Sequence, residues 1–98
     1  MKDIIQNLNK AFDHRVRLGI MSALAVNDAV EFTTLRDLLG VTDGNLASHL
    51  KALEKEDFIQ VNKSFIERKP NTTYAMTQTG RKAFNEHLNM LEKLIHKK

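Results

Sequence analysis

Apolar residues recur at helical spacing in five stretches of this chain and alternate with polar ones in three others, one of them very short. Between residues 42 and 56, Leu46, Leu50 and Leu53 fall on one side of a helix. Thr42 stands at the N-cap position, where its hydroxyl can accept a first-turn amide, and Gly44 is tolerable only because it falls in that first turn. At about 100° per residue the opposite side carries Gly44, Ser48, Lys51, Ala52 and Lys55. That outer face is small, polar and free of acids, so it can lie close against a large polar partner.

Before this helix, Met1, Ile4, Ile5 and Leu8 mark a short amphipathic helix over residues 1–10. Asp13 is the expected cap of a second helix, whose inner stripe is Val16, Ile20, Ala23 and Leu24 and which fades near Val26-Asn27-Asp28. Val30-Glu31-Phe32 reads as a short edge strand. Thr33 or Thr34 is the expected cap of a brief helix ending at Leu39, with Asp37 placed as a capping-box partner and Leu35, Leu38 and Leu39 turned inward. Gly40 closes it.

After residue 57 the period changes to two. Phe58–Lys63 and Thr73–Met76 alternate, with Ile59, Val61, Tyr74 and Met76 expected to face the core. Pro70-Asn71 supplies the expected turn, with Arg68 and Lys69 near its tip. Thr77 caps a last helix running to about Ile95. It carries two apolar stripes: Phe84, Leu88, Leu91 and Ile95, and beside them Ala83, His87, Met90 and Leu94. Together they are wider than one contact with a small domain needs. The surplus predicts a homodimer that uses Ile4, Ile5, Leu8, His87, Met90, Leu91 and Leu94. The other reading packs both stripes on the chain's own first helices.

The pattern therefore predicts a mainly α fold with a small β-hairpin. It is a winged helix-turn-helix with extra N- and C-terminal helices (1–10 and 78–96), one domain over residues 1–98. Composition adds exclusions. Of 98 residues, 42% are hydrophobic and 28% charged, and there is no cysteine, hence no disulfide or thiolate metal site. No apolar run approaches the roughly 18 residues of a membrane span, and the first residues lack a signal-peptide core, so a cytoplasmic protein is expected. His14, His49, His87 and His96 are not spaced as a compact ligand set. No Gly-rich phosphate loop or nucleophile–base pair appears, so no enzyme, metal or cofactor is predicted.

Net charge is +3. From Thr42 to Tyr74, Lys51, Lys55, Lys63, Arg68 and Lys69 cancel Asp43, Glu54, Glu56, Asp57 and Glu67. The excess sits in the last helix, at Arg81, Lys82, Lys93, Lys97 and Lys98 against Glu86 and Glu92.

Five segments in order resemble small single-domain winged-helix transcriptional regulators of the MarR and ArsR type. They are Asp13-His14-Arg15-Val16-Arg17-Leu18, Phe32-Thr33-Thr34-Leu35-Arg36-Asp37-Leu38-Leu39, Val41-Thr42-Asp43-Gly44-Asn45-Leu46, Arg68-Lys69-Pro70-Asn71-Thr72-Thr73-Tyr74 and Met76-Thr77-Gln78-Thr79-Gly80-Arg81. The resemblance implies a DNA-binding dimer with Asp43 through Lys51 in a major groove and Arg68 and Lys69 on a minor groove or its phosphates. The cysteine and histidine metal sites of metal-sensing members are missing. A small-molecule effector, if the protein has one, would sit between the helices.

The candidate partner is double-stranded DNA, contacted by the helix over 42–56 and a wing over 64–72. Asn45 and Ser48 suit base edges; Lys51 and Lys55 suit phosphate or guanine. Thr33 and Thr34 can offer hydroxyls to a phosphate. Thr42, Gly44, Arg68, Lys69 and Asn71 complete the set. His49 is divided between a half-buried structural role and a DNA contact, while Asp43 compensates the helix dipole. The alternative function is a winged-helix protein-interaction module without DNA binding.

Overall fold

The computed structural model describes residues 1–96; Lys97 and Lys98, counted above in the basic excess, lie outside the described residues. The order is α1 (Lys2–Asn7), a 3-10 turn (Lys10–Phe12), α2 (Arg15–Ala25), β1 (Val30–Glu31), α3 (Phe32–Leu39), α4 (Asp43–Lys55), β2 (Ile59–Ile66), β3 (Lys69–Met76) and α5 (Gln78–His96).

The first helix stops short of residue 10. The Asn9 side chain accepts the Ala11 amide at 2.9 Å, a local bond that competes with continued helix and opens the 3-10 turn instead. Asp13 does not cap α2. It ends that turn, and the cap is His14, whose Nδ1 accepts the Val16 amide at 3.1 Å. The inner face of α2 follows the predicted stripe, with Ile20, Met21, Ala23 and Leu24 buried.

Neither Thr33 nor Thr34 caps α3. Val30 and Glu31 pair with Tyr74 and Thr73 of β3, and the chain passes straight from this bridge into the helix at Phe32, with Glu31 as N-cap. Both threonines therefore lie exposed in the first turn, and Asp37 pairs with Arg36 rather than back toward a cap. Leu35 is buried, but Leu38 is 66% exposed, because α3 turns only a narrow side to the core.

The sheet order is β1-β3-β2, all antiparallel. Ile59 and Tyr74 are buried on the face turned to the helices, and Val61 and Met76 pack against the same core. The hairpin turn is not Pro70-Asn71. It is Glu67-Arg68, both left-handed at φ 52° and 67°, the two-residue geometry that matches strand twist. That turn normally uses Gly or Asn, so the residues gave no warning of it. Pro70 and Asn71 sit within β3, opposite Phe65 and Ser64. Pro70 is tolerated because β1 covers β3 only at Thr73 and Tyr74, leaving its other edge open there.

The core centres on Phe12, whose ring meets Phe58, Phe84 and His87 at centroid distances of 5.3, 5.5 and 5.2 Å. Thr77 ties the start of α5 to the end of α4: its hydroxyl donates to the Asp57 carbonyl (2.6 Å) and accepts the Gly80 amide (2.9 Å). Gly80 has no room for a side chain, since a Cβ there would lie 1.9 Å from the Phe58 carbonyl oxygen. On α5, Phe84 and His87 are buried while Leu88 and Ile95 are exposed. Among the described residues no helix is long and apolar enough to cross a membrane.

Candidate nucleic-acid interface

The helix α4 is held from beneath by Leu46, Leu50 and Leu53, each no more than 1% exposed. Thr42 caps it as the sequence predicts, its hydroxyl accepting the Asn45 amide at 3.1 Å. Three anchors at helical spacing leave the other side to solvent: Gly44, Asn45, Ser48, Lys51 and Lys55 are all exposed, and Ala52 is half-buried. A Cβ placed on Gly44 would meet nothing within 4 Å, so the helix start is open rather than packed.

Asp43, the one acid in the first turn, is answered by a residue the sequence reading passed over. Arg36 reaches from α3 and its Nη1 donates to the Asp43 carboxylate at 3.0 Å, while its Nε donates to Asp37 at 3.1 Å. The cross-turn pair braces α3 against α4 and offsets the charge that would repel phosphate. Spacing did hint at it: Arg36 and Asp43 flank the turn that brings the two helices together.

His49 is half-buried and structurally engaged. Its Nδ1 accepts from Arg17 Nε at 3.0 Å, and its ring lies 4.1 Å from that of His14. Burial, then His14 and Arg17, push its pKa below the ordinary histidine value. A neutral His49 thus links α4 to α2, with Arg17 donating from below.

Apart from Thr34, exposed in the first turn of α3, the remaining candidates fall into two clefts and a tip. Thr42 and Asn45 line a cleft of about 860 Å³ with His14, Arg15 and Gly40. Thr33 and Asn71 line a second, of about 470 Å³, between the start of α3 and the hairpin, together with Lys63 and Thr72. Arg68 is in the turn and Lys69 on the first rung beside it. Of the residues expected at a dimer face, Ile5 is exposed and Ile4, Leu8, Met90, Leu91 and Leu94 are half-buried. His87 differs: it is 6% exposed, and its Nδ1 accepts the Asn9 amide at 3.1 Å, which commits it to the chain's own interior.

Two helices joined by a three-residue turn, followed by a two-stranded hairpin, define a winged helix-turn-helix. The chain belongs to the winged helix DNA-binding domain family, whose model matches residues 16–95. It is 38% identical over 79 residues, 81% of this chain and 86% of the other, to the uncharacterized protein MJ0432 of Methanocaldococcus jannaschii. Its fold matches that of a transcriptional regulator homologue from Pyrococcus horikoshii OT3 at a TM-score of 0.85 and 30% identity, over 96% of this chain and 91% of that one. A MarR family protein from Porphyromonas gingivalis W83 shares the fold at 18% identity and a TM-score of 0.70, over 91% and 86% of the two chains. The protein is a DNA-binding domain of the transcription-regulator kind, not an enzyme.

Proposed function

We propose that this protein is a dimeric, sequence-specific transcriptional regulator that sets α4 in a major groove and its wing on an adjacent minor groove or backbone. The observation that carries the reading is the outer face of α4. It is exposed, free of acids beyond Asp43, and open at Gly44, while Arg36 holds Asp43 aside. Asn45 and Ser48 supply hydrogen-bonding groups for base edges, and Lys51 and Lys55 supply charge for phosphate. The exposed apolar side chains Ile5, Leu88 and Ile95 on α1 and α5 support a second copy docking there. A dimer would place two such helices on half-sites about one helical turn apart.

Gel retardation against duplexes selected from a random-sequence pool tests this. The protein should retain a subset at low salt, with affinity falling steeply as salt rises. Arg68→Ala with Lys69→Ala should weaken binding to all sequences and lower the salt slope by about 2. No retention of any duplex, with a protein partner recovered instead, would turn the reading to an interaction module.

A further inference from the structure

The wing carries apolar side chains where solvent-facing hairpins carry polar ones. Phe65 is 75% exposed and Ile66 is 55% exposed, and both lie beyond the last core residues of β2. Phe65 pairs across the hairpin with Pro70, and Ile66 with Lys69, the rung that closes on Glu67-Arg68. Because the two-residue turn keeps register, alternation holds to the tip. Ile59, Val61, Lys63 and Phe65 therefore share one face of β2, and Tyr74, Thr72 and Pro70 share it on β3. This is the face that, nearer the core, joins the same buried cluster as Leu50 and Leu53 of α4. Continued past the core, that face carries the apolar pair Phe65 and Pro70 beside Lys63, while Ile66 and Lys69 take the opposite face and Arg68 sits in the turn with Glu67, the one acid.

An exposed aromatic ring on a hairpin end that carries Lys63 on the same face, Lys69 on the other and Arg68 at the turn fits a polyanion that offers an apolar interior. Stacked base pairs between two phosphate backbones are such a partner. Resting on the DNA-binding reading above, we infer that Phe65, backed by Pro70, is a wedge that enters a minor groove and partly unstacks one base step. Lys63, Arg68 and Lys69 hold the flanking phosphates, and the duplex bends away from the wing. Flexible pyrimidine–purine steps are the cheapest to open, so Phe65 contributes sequence preference outside the major-groove contacts of α4.

The test uses the full chain and duplexes selected by it from a random-sequence pool, with 2-aminopurine placed along the flank and bending read by circular permutation. The wild-type protein should bend the duplex by roughly 20–90° and raise 2-aminopurine fluorescence at one step. Phe65→Ala should still bind with the same salt slope but lose both signals, and Phe65→Leu should retain them. A bend that survives Phe65→Ala, or a wild-type complex that is straight, overturns the wedge and leaves the DNA-binding reading standing. A change of oligomeric state in Phe65→Ala with bending intact reassigns the patch to a protein contact and overturns it too. If wild-type protein retains no duplex at all, both readings fall together.

Discussion

His87 is a base whose burial favours the neutral form. Its Nδ1 accepts the Asn9 amide, so a proton there breaks the bond, and burial lowers its pKa while Asp13 weakly opposes. His49 is shifted the same way, by burial first and then by His14 and Arg17. For both, the folded pKa lies below the unfolded value near 6.5. On acidification the unfolded chain takes up protons first, so stability falls from about pH 6.5 downward and is complete above about pH 7. His87→Gln should flatten a plot of Tm against pH through this window; a plot as steep as wild type would contradict the assignment. His87 also shows what a lone sequence cannot resolve. At the apolar edge of a helix its spacing suits an outward stripe and an inward one equally. Only Asn9, remote in sequence, decides between them. Gly80 is a case of the same kind, since nothing local signals that the Phe58 carbonyl fills the space of its side chain. Gly80→Ala should cost about 3 kcal/mol or more, as severe overpacking does, measured by urea unfolding.

At the scale of elements, α4 was legible almost to the residue because cap, anchors and open face all depend on spacing within one helix. Thr42→Ala should cost about 1 kcal/mol of stability by removing the cap. Gly44→Ala should do the reverse, adding up to about 1 kcal/mol through helix propensity, since the new methyl meets only solvent. If that face meets DNA closely, the same substitution lowers affinity; more stable protein with unchanged affinity would show that the helix start stands clear of the groove. The wing was less legible. Its existence followed from alternation, but its length and turn did not. Glu67 and Arg68 adopt left-handed backbone without the residues that favour it, and Pro70-Asn71 offered a stronger local signal for a turn that the pairing of Phe65 with Pro70 rules out. The start of α3 shifted for a related reason: the β1 bridge to β3 sets where the helix begins, whatever capping residues follow.

The whole molecule is elongated, 56 × 25 × 21 Å, with α5 as its longest element. A cleft of about 790 Å³ between α1, the start of α2 and α5 is lined by Ile5, Leu8, Phe12, Leu18, His87 and Leu91. Charge from Thr42 to Tyr74 sums to zero, so one copy has little long-range attraction for DNA. Two linked copies raise the effective affinity without new contacts. On the proposed dimer, Ile5→Asp with Leu91→Asp should give a monomer by sedimentation and lose most duplex binding while the domain stays folded. Which amides meet DNA is the most direct test of a groove-bound α4. Titrating labelled protein with a selected duplex and following amide resonances should shift Gly44, Asn45, Ser48, Lys51 and the Glu67-Arg68 turn first and farthest. Shifts confined to α1 and α5, with α4 and the hairpin unmoved, would contradict it.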